Sequence, residues 1–575
     1  MILRRRRSVV LAGFSCALVS LSMQGALAAN GSDVRVTRDA AAGSYVRYDG
    51  GTDAVMAACG TSRRQQNEPS VAVDPHNPSV VVAGANDYCA GASPGAYPAY
   101  PLTSHGWLGY YRSTDSGATW VDSLVPGYPT DTSPAGVASP THQCLEGSDP
   151  TQAFDRAGTL FYAFICFNRD KPQYGGLYVA SYDNDGATYR GTVQVDRGTP
   201  ALMGAFNDKP NLVVDTSGGP TDGNVYVFWG RFTGTGGVSL AVAASTDHGR
   251  TFKQSGKAIE NTAGDSYPTF SDAAVGPNGE VYGLFNMTVL QPRYRESYLL
   301  VRSTNAARTF SKPVEVARID DRNFAGGYFS GPGGGIYCGD GPLACPNGLV
   351  FSRFQSTAAL AADQSGIHVV WNQMLPGTGL AQSRVYARSL PAGSTTWTDP
   401  TPIDNSDVGH QFLPDVASAD GTIDVVFYDS RHDSAYSPDR PPGLTADGKN
   451  SGAAVDTIVA RSTDGGGTWT ESTVSSVATN LNYEVGSTLQ LPFFGDYIYI
   501  SAVHGAVQAV WTTERDVVPG TDPRAGANNA NGFHVYAPCA WVPNDINADD
   551  YSSPSVSDPC FNQGGKDTNI YTARL

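Results

Sequence analysis

The sequence predicts an all-β fold, a seven-bladed β-propeller of four-stranded antiparallel blades, with six blades as the alternative count. Three observations predict it. A pair of alternating apolar strands around a short polar turn recurs seven times along the 575 residues. Several copies are followed by a second turn of the form Ser-x-Asp-x-Gly-x-Thr-aromatic. The composition, with 65 Gly, 29 Tyr and only 16% charged residues, favours turns and aromatic-lined strands over amphipathic helices.

In chain order, the first element is a leader expected over residues 1–29. Arg4–Arg7 form a basic stretch, Ser8–Met23 an apolar core and Ala26-Leu27-Ala28 a small-residue cleavage site, the layout of a secretory signal peptide. The arginines followed by Ser8-Val9-Val10 leave a twin-arginine export route open. The apolar run is too short for a membrane span, and no later segment is long enough for one, so an extracellular protein is expected. Residues 30–575 then read as one propeller domain with long loops on one face.

The seven hairpins run Glu68–Gly84, Asp149–Phe164, Asp208–Trp229, Tyr267–Phe285, Ser356–Trp371, Leu413–Tyr428 and Gly495–Trp511. Radial repetition of such units closes a ring that leaves only short edges. Ser113–Trp120, Ser245–Phe252 and Ser462–Trp469 are the intact second turns. Tyr182–Tyr189, Ser303–Phe310 and Ser389–Trp397 read as decayed copies. In such a turn Asp accepts local N–H groups, Gly permits positive φ and the aromatic plugs the blade edge. These aspartates are therefore expected to be structural. Segments near Val34–Val36 and Tyr45–Tyr48 are expected to complete the last blade beside Asn569–Leu575, latching the ring with both termini.

The Ser-x-Asp-x-Gly-x-Thr-Trp turns resemble the Asp-box, or BNR, repeats of sialidases and related exported propellers, over most of the chain. That resemblance implies a glycan-acting propeller with an acid/base carboxylate, a Tyr–Glu nucleophilic pair and arginines that clamp a carboxylate. The family's Arg-Ile-Pro motif does not occur. The corresponding stretch reads Arg63-Arg64-Gln65-Gln66-Asn67-Glu68-Pro69, with Arg64 as the candidate arginine.

Aligning the repeats sorts residues by face. The starts of the first strands and the ends of the second strands share one end of the channel, opposite the Asp-box turns. The first set holds the catalytic candidates Glu68, Asp149, Asp208 (beside Lys209), Tyr267 and Asp496, together with Arg353 and His410. The second holds Asn86, Asp87, Asn168, Arg169, Arg231, Asn286, Asn372, Asp429, Arg431, His432 and Arg515. Carboxylates facing one another suit general acid/base or nucleophilic work on a glycoside. Arg64, Arg231, Arg353, Arg431 and Arg515, with His410 and Asp429, are the substrate-binding candidates, because guanidinium groups recognise carboxylates bidentately. The alternative for Arg431 and Arg515 is structural ion pairing with Asp429, Asp433, Glu514 or Asp516. Tyr497 is the alternative tyrosine nucleophile, and His410 beside Tyr267 would suit proton abstraction in a uronate lyase. Insertions at 88–106, 121–148, 311–355, 431–453 and 516–566 all fall on this face, as loops around a binding site do.

The net charge of −16 deepens to about −20 without the leader's four arginines, which excludes a nucleic-acid partner held by its phosphates. An acidic oligo- or polysaccharide is the expected partner and a monomer the expected state. No cofactor is required, although Ca²⁺ is compatible as a structural ion. Beyond Cys16 the cysteines number eight, and in an exported chain they read as disulfides, with Cys338–Cys345 and Cys539–Cys560 the first pairs by proximity. No Cys/His spacing of a structural zinc site occurs. The alternatives to a sialidase-like glycoside hydrolase are a uronate lyase and a non-catalytic glycan- or protein-binding propeller.

Overall fold

The computed structural model describes residues 33–92, 106–168, 173–198, 205–233, 237–255, 259–262, 266–289, 295–319, 358–375, 382–404, 406–438, 440–446, 451–483, 494–518 and 567–575. They form seven antiparallel sheets arranged as the blades of a propeller, six of strands consecutive in the chain and the seventh closed by an amino-terminal strand. The innermost strand A of blades 1 to 7 is Gln66–Val73, Glu146–Phe154, Ala205–Val214, Ser266–Val275, Ala358–Asp363, Gln411–Ala419 and Tyr499–Val503. Strand D of blade 3 is split into Lys253–Gln254 and Glu260–Thr262, both paired with strand C. The seven-hairpin reading therefore gives the blade number correctly.

Burial explains the sequence patterns. Strand B of blade 2, Leu160–Phe167, is buried at every residue because neighbouring blades cover both of its faces, and it reads as a continuous apolar run. Strand D of the same blade, Thr188–Arg197, lies at the rim, is mostly half-exposed and carries polar residues. Between blades the packing is aromatic: Tyr110 of blade 1 stacks on Tyr182 of blade 2 with ring centroids 4.3 Å apart.

Closure follows half of the expected scheme. Val34–Arg35 pairs with Asn569–Arg574 as the outer strand of blade 7, with Val34 opposite Thr572. Arg35 fixes this latch by donating to Asn569 Oδ1 (2.6 Å) and Asp567 Oδ1 (3.1 Å). Tyr45 does not join it. That residue bridges Asp122 in blade 1, and its hydroxyl donates to the buried Asp87 carboxylate (2.7 Å). The amino-terminal segment therefore ties the last blade to the first.

The disulfides among the described residues are Cys59–Cys89 and Cys144–Cys166. Cys338, Cys345, Cys539 and Cys560 lie outside the described residues, as do the leader and most of the 311–355 and 516–566 insertions. Val121–Leu124 and Val314–Ile319 are strand D of blades 1 and 4, so the insertions expected from 121 and 311 begin only after those strands. No helix among the described residues is long and apolar enough to cross a membrane.

Candidate functional site at the channel mouth

Four of the inner strands begin with the same irregularity. Glu68, Asp149, Lys209 and Leu413 adopt positive φ (55°, 60°, 47° and 48°), and proline follows each of them. In each strand the register skips here, between Asn67 and Ser70, Ser148 and Thr151, Asp208 and Asn211, and Phe412 and Asp415. Proline lacks the N–H that a ladder needs, so it falls where pairing is interrupted. A left-handed, non-glycine residue costs about 1–3 kcal/mol, and bulges of this kind re-aim side chains. Here they set Glu68, Asp149 and Lys209 at matching positions of three adjacent blades.

These side chains, with Asp496 at the start of blade 7, close a ring of contacts. Asn86 Nδ2 donates to Glu68 Oε2 (2.6 Å), while Asn86 Oδ1 accepts the backbone N–H of Asp149 (2.9 Å). Asp149 Oδ2 accepts the backbone N–H of Lys209 (3.1 Å). Lys209 Nζ lies 3.0 Å from Asp496 Oδ2, and the Asp496 N–H returns to Glu68 Oε1 (3.2 Å). Glu68, Asp149 and Asp496 are all buried. Burial, followed by the charges of Glu68 and Asp149, pushes the Tyr497 phenol well above its usual range. That residue is thus a neutral hydroxyl among carboxylates.

A second layer lies further along the channel. Asn211 Nδ2 donates to Asp272 Oδ1 (2.7 Å), and Asp272 Oδ2 accepts Leu360 N–H from the next blade (2.6 Å). Asp415 Oδ2 likewise accepts Ile500 N–H of blade 7 (2.7 Å). Burial raises Asp272 to about 7, and burial with the Asp272 charge raises Asp415 well above the carboxylate range. Tyr499 and these acids line a cavity of about 860 Å³ that reaches the A–B turns, including His76 and His504.

The remaining candidates are placed elsewhere. Asp208 is opposite Gly230 in register, one position before the bulge residue Lys209. Tyr267 occupies a strand position opposite Thr288, and in its blade the register skips later, between Phe270 and Asp272. Arg64 is buried. Arg231 lies 3.7 Å from Asp196 and keeps about a third of its side chain exposed. Arg353 and Arg169 fall outside the described residues. Arg431 donates to Glu471 (2.7 Å), Asp404 (2.5 Å) and the fully buried Asp429 (2.6 Å). Arg515 donates to Asp33 (2.8 Å) and stacks over the Tyr571 ring at 3.4 Å. Both arginines are thus held in framework ion pairs, although their partners are mostly not the expected ones. His410 is fully buried. Its Nε2 faces the carbonyls of Ser437 and Arg440, Nδ1 accepts Ser383 N–H, and burial lowers its pKa to about 4. It anchors the 431–453 segment and presents no base to the channel.

Asn211, Asp272, Asp415 and Tyr499 are channel residues that reasoning from polar strand starts leaves out of the candidate set, and Lys209 enters it only as the neighbour of Asp208. A signal was present: aligning the repeats on proline, as Glu-Pro, Asp-Pro, Lys-Pro and Leu-Pro, puts Lys209 rather than Asp208 in line with Glu68 and Asp149.

No protein-family model matches the chain. No curated protein matches it either. Among solved structures it is similar to the Hadza microbial sialidase Hz136, at 13% identity and a TM-score of 0.38, over 63% of this chain and 63% of that one. It is similar to a leech intramolecular trans-sialidase at 12% identity and a TM-score of 0.38, over 64% and 65% of the two chains. A third is a Penicillium chrysogenum alpha-L-arabinanase, at 14% identity and a TM-score of 0.38, over 64% and 89%. The chain spans less than two thirds of the length of the sialidase and of the trans-sialidase.

Proposed function

We propose that this protein is an exported, sialidase-like glycoside hydrolase that takes an acidic glycan at the mouth where the inner strands begin. The observation that carries this reading is the closed ring of Glu68, Asn86, Asp149, Lys209 and Asp496, three of them at strained bulges, with Tyr497 close enough to feel the charges of Glu68 and Asp149. Strain held at matching positions of several blades favours a site over a passive rim. Glu68, Asp149 and Asp496 supply carboxylates for general acid/base work on a glycosidic oxygen. Tyr497 near Glu68 supplies the phenol–carboxylate pair that the Asp-box resemblance implies: the phenol oxygen bonds to the anomeric carbon as its proton passes to Glu68, while the glycosidic C–O bond breaks and a second carboxylic acid, Asp149, protonates the departing oxygen. Lys209 and the partly exposed Arg231 are the cations that would meet the acidic group of the glycan.

A second reading, a non-catalytic glycan-binding propeller, is favoured by one observation: both oxygens of Glu68 already accept framework hydrogen bonds. The lyase reading loses support with His410 enclosed. Incubation with a panel of sialosides and acidic polysaccharides tests all three. Free sialic acid or new reducing ends are expected. Unsaturated uronate absorbance alone would reassign the protein to the lyases. Glycan binding without any product would leave the binding propeller.

A further inference from the structure

At the opposite end of the propeller, one group of side chains is not explained by the repeating turns. Asp74 directly follows strand A of blade 1, His76 stands two residues later in the same turn, and Asp185 lies in the C–D turn of blade 2. One potential ligand atom from each falls within 4.8 Å of the others. His76 Nδ1 is 3.0 Å from Asp185 Oδ1. Asp74 is fully buried, and its Oδ1 accepts the His76 N–H (2.8 Å). Its Oδ2 is also buried and has no hydrogen-bond partner. A carboxylate oxygen in that state is costly unless a cation meets it.

The local backbone makes room for this meeting. Gly158, at φ +80°, lies beneath both acids. A Cβ there would come within 2.2 Å of Asp185 Oδ1 and 3.4 Å of Asp74 Oδ2.

Blade 3 provides an internal control. Asp215 occupies the place of Asp74, its Oδ2 is likewise buried without a hydrogen-bond partner, and Gly279 stands for Gly158. The buried oxygen is therefore a feature of this blade turn. In place of His76 and Asp185, however, that site has Ser217 and Ala306. Among the described residues, only the blade 1–blade 2 junction gathers three potential ligands.

We propose that Asp74, His76 and Asp185 bind a divalent transition cation such as Zn²⁺, which clamps the A–B turn of blade 1 to the C–D turn of blade 2. An imidazole with two carboxylates suits zinc and its neighbours, whereas Ca²⁺ prefers oxygen donors alone. Metal–ligand bonds of about 2.1 Å at tetrahedral or octahedral angles put ligand atoms about 3.0–3.4 Å apart, the spacing His76 and Asp185 already have. The partly exposed His76 and Asp185 side chains leave the remaining positions to water. The clamp stands apart from the channel mouth and is independent of the glycan reading.

The test is a calorimetric titration of the chelator-treated full-length protein with ZnCl₂, paired with thermal melts. One saturable zinc per chain and a melting point higher by a few degrees are expected, since a ligand that binds only the folded state stabilises it. His76→Ala and Asp185→Asn, both at partly exposed positions, should each weaken binding at least tenfold. Asp215→Asn, at the blade 3 counterpart, should bind as wild type does. Zinc binding unchanged in both ligand variants, no saturable binding, or stabilisation by CaCl₂ and not by ZnCl₂ would each overturn the assignment.

Discussion

The two ends of this propeller use aspartate in opposite ways. At the Asp-box end the aspartate of an intact box serves its own turn. Asp115 Oδ1 accepts the Thr119 N–H (2.8 Å) and Oδ2 the Thr119 hydroxyl (2.7 Å), and Asp464 repeats this with Thr468. At the channel mouth the acids also reach across blades: Glu68 accepts the Asp496 N–H as well as Asn86 of its own blade, Asp149 accepts the Lys209 N–H as well as the Ser148 hydroxyl, and Asp496 meets Lys209 Nζ. Local closure makes a motif that a reader of the sequence sees at once. Closure across the ring makes a site that exists only once the ring has formed.

The largest break in this contrast should come from removing charge without changing shape. Asp496→Asn and Glu68→Gln are expected to lower glycan turnover by about 10²–10⁴-fold, the usual contribution of a general acid or base. Asp464→Asn in a box should leave the rate unchanged. Rates measured at saturating substrate, with the melting point of each variant, separate chemistry from folding. Equal losses in all three variants would mean that the ring acids act only through stability.

Next in size is Lys209→Met. It deprives the buried Asp496 of its cation, and loss of one partner from such a pair costs about 3 kcal/mol, somewhat less where the lysine is partly exposed. Urea unfolding should show this as a lower midpoint at constant m. A variant as stable as wild type would show that Asp496 finds water or another donor at the mouth.

The same contrast explains what the sequence disclosed. The seven hairpins and the boxes depend on contacts over a few residues, so blade number and strand order were readable. The ring was half readable: repeat alignment found Glu68, Asp149 and Asp496 and placed Lys209 beside Asp208, but the carboxylate rather than the lysine stood as the catalytic candidate. Of the partners of Arg431 and Arg515, only Asp429 lies nearby and was named from the sequence; Asp404, Glu471 and Asp33 lie 27 or more positions away. His410 misled for a related reason, since the carbonyls that enclose it come from a loop with no periodic pattern.

Within the channel, pH should divide the two carboxylate populations. Folded Asp272 keeps its proton to about pH 7, while the unfolded chain releases it near the ordinary 3.8. Between those values the folded state binds more protons, so its stability falls as pH rises. Asp272→Asn removes that contribution, and unfolding midpoints collected from pH 4 to pH 7 should then decline less. A slope identical to wild type would place the proton elsewhere in the coupled Asp272–Asp415 pair.

The smallest effect belongs to the boxes. Hydrogen bonds from the Thr468 N–H, the Thr468 hydroxyl and the Ser462 hydroxyl lower Asp464 to about 2. Its stabilising contribution is therefore complete above the unfolded value near 3.8 and is lost as pH falls through about 2, the reverse of Asp272. The side chain is exposed, so Asp464→Ala should cost only about 1 kcal/mol, in line with loss of a local capping bond. The equivalent change in blade 4, Asn305→Ala, removes the same Thr309 contacts without a charge and should cost about as much at pH 7. Only the Asp464 variant should close its gap to wild type below pH 3. A gap that persisted there would mean that the box depends on the shape of its turn rather than on the charge at its centre.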